Sequence, residues 1–320
     1  MKKLSTIASL AALLATAPLS AQEAEKQSFP SPNEIVDKAA AAEWLAIAPT
    51  HLLVMNLAPD AQGKERRVII QLMPGWFNRG HLGNIRKLAR AHWWDGTSIN
   101  RVQDNYVVQW GDAGGKKPLP GNLVTVAEKA YEYEDDDLQI GRKALEEERP
   151  VTKVLRRDPY APYTDFEEGW PFAADLKNHI WPVHCYGAVG VGRGYSPNTG
   201  SGAELYTVIG HAPRHLDRNI AVVGRIIEGI EHLSSLPRGT GPLGFYEKAE
   251  QRVTIKSIRL ASELAEADQP RFEYLDTRGK SFAKYAGARA NRRDPFFVKP
   301  AGGADICNIP VPVRRVKGEE

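Results

Sequence analysis

Residues 99–112 read Ile-Asn-Arg-Val-Gln-Asp-Asn-Tyr-Val-Val-Gln-Trp-Gly-Asp, and this stretch says more about fold and function than the rest of the chain. Gln103-Asp104-Asn105 has the composition of a turn, and a strand is predicted over 106–110. Successive strand side chains face opposite ways. Tyr106 and Gln109 therefore need a twist or a bulge before they can share one side of the sheet. Arg101 lies across the turn from both.

Working outward, Arg67-Val68-Ile69-Ile70-Gln71-Leu72 reads as a strand, and Asn84-Ile85-Arg86-Lys87-Leu88 as part of a helix. Downstream comes a small-residue strand, Gly187-Ala188-Val189-Gly190-Val191-Gly192-Arg193-Gly194. It leads into the loop Ser196-Pro197-Asn198-Thr199-Gly200-Ser201-Gly202 and the aromatic strand Glu204-Leu205-Tyr206-Thr207-Val208-Ile209. His215-Leu216-Asp217 and Val222-Val223-Gly224-Arg225-Ile226-Ile227-Glu228-Gly229 follow. In this order, over about residues 51 to 260, the pieces resemble the cyclophilins, whose active strand usually reads Phe-His-Arg-Val-x-x-x-Phe-x-x-Gln-x-Gly-Asp. The resemblance implies a mainly β fold: a closed eight-stranded antiparallel barrel capped by two helices, here with a partly helical insert at about 113–184. It also implies isomerisation of peptide bonds preceding proline, without cofactor or metal.

Rotation about a peptide bond faces a barrier of about 18–20 kcal/mol, because the nitrogen lone pair is shared with the carbonyl. Before proline the two isomers are close in energy but exchange over tens to hundreds of seconds. A catalyst must favour the twisted amide, which calls for a fixed donor, a dry hollow for the proline ring and a grip on the flanking peptide. The resemblance puts Arg101 in the donor role and makes Gln109 its steering partner. Tyr106, Val107, Tyr206 and Leu216 stand where the family lines its proline pocket with Phe, Met, Phe and Leu. Gly192, Arg193, Glu204, His215 and Ile220 are the remaining substrate-contact positions. Four of these depart from the family. Arg193 replaces Asn, Glu204 replaces Gln, His215 replaces Trp and Ile220 replaces His. Arg193 and Glu204, opposite in charge, are expected to pair across the groove. His215 is expected to weaken cyclosporin binding, since the family's Trp contacts that drug. A proline-peptide binding module or chaperone with little turnover is the alternative these four changes favour.

The chain opens with Met1-Lys2-Lys3, an apolar run over 4–19 and Ser20-Ala21-Gln22, the pattern of a secretory signal cut after Ala21. A periplasmic location follows as an expectation, with unfolded or proline-containing polypeptides as clients. No later stretch is long and apolar enough for a membrane span. Loss of Lys2 and Lys3 takes the formal charge from +3 to +1, which argues against a nucleic-acid partner. The expected layout is a signal over 1–21, an extension with a helix over 22–50, the barrel domain over 51–262 and a C-terminal extension over 263–320.

Within that layout, Ser31-Pro32-Asn33-Glu34 is a capping box opening a helix to about residue 47. Residues 51–57 and 66–73 form a hairpin, 123–134 and 139–148 look helical, and 253–260 alternates as a closing strand. Residues 271–276 are strand-like, and an extended tail starts at 295. Tyr160, Tyr163, Phe166, Trp170 and Phe172 either wall the groove or pack the insert on the barrel, with packing favoured. Cys185 and Cys307 form a disulfide tying the tail to the barrel, or remain two buried thiols. Three patterns are set aside. Glu134-Asp135-Asp136-Asp137 lacks the ligand spacing of a calcium loop. Gly190-Val191-Gly192-Arg193-Gly194 lacks dinucleotide spacing, and Pro213 breaks the helix that would align His211 with His215 on a metal.

Overall fold

The computed structural model describes residues 29–134, 149–155, 158–175, 177 and 179–316. The first helix, α1 (Pro32–Asp37), carries the expected capping box: Glu34 N–H donates to Ser31 Oγ at 3.3 Å, and Ser31 N–H to Glu34 Oε2 at 2.7 Å. It stops ten residues short of the expected end. Alanine favours helix locally, but Trp44–Ala46 (β1) is claimed by a strand far along the chain, and packing overrides propensity.

The barrel begins with β2 (Leu52–Leu57) and β3 (Arg66–Leu72), a hairpin whose turn is pinned by Asp60 Oδ1 accepting from the Gln62 and Lys64 amides. Helix α2 (Arg79–Arg90) follows, burying Leu82, Ile85, Leu88 and Ala89 on one face. Then come β4 (Ser98–Val102) and β5 (Val107–Gly111). After the insert, β10 (Ala188–Val191), β11 (Leu205–Val208), β12 (Val222–Glu228), the one-turn helix α3 (Glu231–Ser234) and β13 (Val253–Leu260) complete it. The hydrogen-bonded order is β10-β11-β5-β4-β13-β2-β3-β12, closing on β10, every pair antiparallel. Trp94, Trp110, Met55 and Ile70 fill the inside.

The insert departs from expectation. Residues 123–127 are not helical, because Asn84 on α2 captures the Val124 backbone, donating to its carbonyl at 2.8 Å and accepting from its amide at 2.9 Å. A single 3-10 turn over Glu128–Tyr131 leads to β6 (Tyr133–Glu134). The expected helix at 139–148, like Asp135, Asp136 and Asp137, lies outside the described residues. With β7 (Tyr163–Glu167), β8 (Trp170–Ala174) and β9 (His179–Pro182) the insert forms a second sheet, ordered β6-β9-β8-β7.

The strand expected at 271–276 is present as β14 (Phe272–Leu275). Helix α4 (Lys280–Ala290), which was not expected, follows it, and the tail beyond 295 ends in a short strand, β15 (Val313–Arg315). A third sheet, β1-β14-β15, results. Phe282 of α4 meets Phe166 of the insert edge to face at 5.1 Å, and with Trp44, Trp181 and Ile309 they make a second core outside the barrel. Phe172 and Trp170 are buried against the barrel, whereas Tyr160 is exposed. Cys185, beside the barrel, is disulfide-bonded to Cys307 in this outer layer. No helix among the described residues is long and apolar enough to cross a membrane.

Candidate active site

The β4–β5 hairpin solves the alternation problem in two ways. The register shifts between Ile99 and Arg101, so a bulge at Asn100 sets Arg101 directly opposite Gln109. Tyr106 sits in the turn ahead of β5, after Asn105 in the left-handed region (φ 49°), and escapes the strand's pleat. Arg101 Nη1 donates to Gln109 Oε1 at 3.1 Å, Nη2 to Gln103 Oε1, and Nε to the Leu243 carbonyl at 2.7 Å. Its guanidinium lies between the Tyr106 ring at 5.7 Å and the Phe245 ring at 5.4 Å. Burial draws its pKa below the usual arginine value, with Tyr106 opposing. Among the described residues three of its five N–H groups are engaged, leaving one on each Nη. The result is a cation of fixed orientation with two free donors.

The pocket positions divide. Val107 and Tyr206 are buried in the barrel core, while Tyr106 and Ile220 are half-buried against it and Leu216 is half-buried nearby. His215 is exposed on the 3-10 turn Arg214–Leu216, its ring parallel to Tyr106 at 6.4 Å. Tyr206 pairs with Gly190 across the β10–β11 ladder, and its ring fills the space a side chain would need there. A Cβ at position 190 would stand 2.3 Å from the Tyr206 hydroxyl.

Sequence reasoning missed what that hydroxyl does. Tyr206 Oη lies 2.8 Å from His184 Nε2, and His184 Nδ1 lies 2.9 Å from Asp217 Oδ1. A neutral imidazole satisfies both, donating through Nδ1 and accepting through Nε2. Asp217 Oδ2 takes Arg214 Nε at 2.5 Å, and Arg214 Nη1 donates to Asp158 of the insert at 2.6 Å. The signal was present: a tyrosine at a buried position the family fills with phenylalanine needs a partner for its oxygen. Cys185, engaged in the disulfide, offers His184 no thiol.

On the other wall the expected Arg193–Glu204 pair does not form. Arg193 turns away and donates through Nε and Nη2 to the Asn219 carbonyl at 3.0 and 2.7 Å, bracing the turn that carries His215. Glu204 faces Gln109, the Asp112 backbone and Asn100. Its carboxylate lies so close over Gly111 that a Cβ there would meet Oε1 at 2.0 Å. Gly192 donates its amide to the Glu204 carbonyl at 2.8 Å. A cleft of about 400 Å³ opens here, lined among others by Gln109, Glu204, Asn100, Tyr246 and Phe245.

Burial raises the Glu204 pKa. A carboxyl with a raised folded pKa contributes stability below its unfolded pKa and loses it as pH rises through the folded value. Glu204→Gln is therefore expected to be more stable than the parent near pH 7, with the gain vanishing near pH 4. Paired urea melts at the two pH values check this. A gain that does not change with pH contradicts it.

Comparison with known proteins shows the family. The family described as cyclophilin type peptidyl-prolyl cis-trans isomerase/CLD matches residues 76–260. That is more than half of the chain, and the protein belongs to this family of isomerases. Among solved structures, the cyclophilin AquaCyp293 from Hirschia baltica superimposes with a TM-score of 0.63 at 22% identity, covering 85% of this chain and 93% of its own. A cyclophilin type peptidyl-prolyl cis-trans isomerase from Cryptosporidium parvum gives 0.38 at 13% identity, covering 66% and 96%. No curated protein matches.

Proposed function

We propose that the chain isomerises Xaa-Pro bonds by holding the prolyl carbonyl and the twisted amide nitrogen against the two free Nη donors of Arg101. Gln109 keeps the guanidinium in place. Tyr106, Val107, Tyr206 and Leu216 form the apolar hollow for the proline ring. Gly192, Arg193, Glu204, His215 and Ile220 border the flanking peptide. The observation that carries this reading is the position of Arg101, hydrogen-bonded to Gln109 and 5.7 Å from the centre of the Tyr106 ring. The cation interacts more strongly with a localised nitrogen lone pair than with a planar amide, and that difference accelerates the rotation.

The clients on this reading are exported proteins in the periplasm. The apolar N-terminal run supports it, and so does the disulfide, which suits an oxidising compartment. Recovering the tagged chain from the cytosol whether or not residues 1–21 are present would overturn the location. One observation favours the rival reading, a peptide binder with little turnover: the Leu243 carbonyl already holds Arg101 Nε. NMR exchange on a short Xaa-Pro peptide separates the two. Catalysed exchange supports the isomerase, and binding without exchange supports the rival. Cyclosporin affinity is expected to be low, with His215 exposed in place of an indole.

A further inference from the structure

The segment after α3 is bound edge-on to the active hairpin. Gly239 N–H donates to the Val102 carbonyl at 2.9 Å and Tyr246 N–H to the Asn100 carbonyl at 3.0 Å, while Arg101 and Phe245 face each other as an antiparallel bridge. Glycines let it come this close. A Cβ at Gly244 would stand 2.8 Å from Gln103 Cα, and one at Gly239 would stand 2.0 Å from the Gly244 oxygen. Tyr246 is the buried anchor, its hydroxyl donating to the Pro237 carbonyl at 2.5 Å.

Leu243 and Phe245 contribute little to that anchoring. Leu243 is 66% exposed and Phe245 37% exposed. Leu243 also holds the left-handed conformation (φ 57°, ψ 17°), which glycine or asparagine would adopt without strain. An apolar side chain held in an unfavourable backbone and offered to solvent beside the key cation needs a reason outside the fold.

We infer that Leu243 and Phe245 form a subsite for the residue immediately following the substrate proline, selecting a large apolar or aromatic side chain. The inference rests on the isomerase reading for its orientation. A peptide leaves proline through the very carbonyl that Arg101 holds, so the next residue emerges on the guanidinium's side. Consecutive Cα atoms are about 3.8 Å apart. Leu243 O touches Arg101 Nε at 2.7 Å and the Phe245 ring lies 5.4 Å from its central carbon, so both sit within one side chain's reach. A cleft that Phe245 lines together with Gln109 opens beside that ring.

The test compares Ala-Ala-Pro-Phe with Ala-Ala-Pro-Gly, measuring Kd by NMR titration and turnover by exchange. The parent is expected to bind the Phe peptide about tenfold more tightly. Leu243→Asn, which tolerates the left-handed backbone, is expected to cut that ratio to about threefold, and adding Phe245→Ser to bring it near one. Equal Kd for both peptides in the parent, or an unchanged ratio in both variants, overturns the subsite. A preference in Kd without exchange supports the subsite and overturns only the isomerase reading.

Discussion

Arg101→Ala is expected to lower kcat/KM on an Xaa-Pro peptide by at least about 100-fold, the usual loss when one preorganised transition-state donor is removed. That corresponds to about 2.7 kcal/mol of barrier. Arg101→Lys is expected to fall nearly as far. A lysine ammonium is a point charge on a flexible stem, and it cannot hold Gln109, Gln103 and the Leu243 carbonyl together as the planar fork does. The fold should survive both changes, since Arg101 is half-buried and its acceptors can turn to water. NMR exchange rates alongside thermal melts provide the check. A rate within twofold of the parent in a folded Arg101→Ala variant would remove this residue from the chemistry.

Replacing Cys185 and Cys307 together by serine is expected to cost roughly 4–5 kcal/mol, because the bond closes a long loop, its ends 122 positions apart. In thermal melts this amounts to a drop on the order of 10 °C. The damage should concentrate in the outer layer. Phe282, Ile309 and Trp44 belong to the core that Cys307 flanks, whereas the barrel keeps its own ladder and core. Hydrogen exchange should therefore show faster opening of α4 and β14 with β2 and β13 still protected. Uniform protection and an unchanged melting point would mean the bond restrains little.

How far the residues announced the site depended on the range of each interaction. Arg101, Tyr106 and Gln109 were readable because they fall within nine positions and their convergence needed only a local irregularity, which the bulge at Asn100 supplies. The Arg193–Glu204 expectation rested on opposite charge alone. It failed because nearer partners, the Asn219 carbonyl for one and Gln109 for the other, were better placed. The relay beneath Tyr206 joins residues 158, 184, 206, 214 and 217; Arg214 and Asp217 share one turn, but only the folded barrel and insert bring Asp158, His184 and Tyr206 to them. Helix α4 was hidden for a similar reason. Its first turn has no local cap, and Glu43 accepts from the Ser281 amide at 2.8 Å and from the Ser281 hydroxyl at 2.6 Å across 238 positions. The stretch 239–244 carries three glycines and no strand pattern, and only the structure lays it along β4.

Among the described residues strand β1 pairs only with β14, while Arg314 of β15 lies over the Trp44 ring at 3.7 Å. A ribosome delivers every barrel strand by Leu260, yet at that moment β1, made long before, has no neighbour to join. Chains tend to fold in the order they emerge. The backbone of β1 therefore has no strand to pair with until β14 appears, and a chain interrupted before Phe272 would hold a finished barrel with an orphaned leading strand.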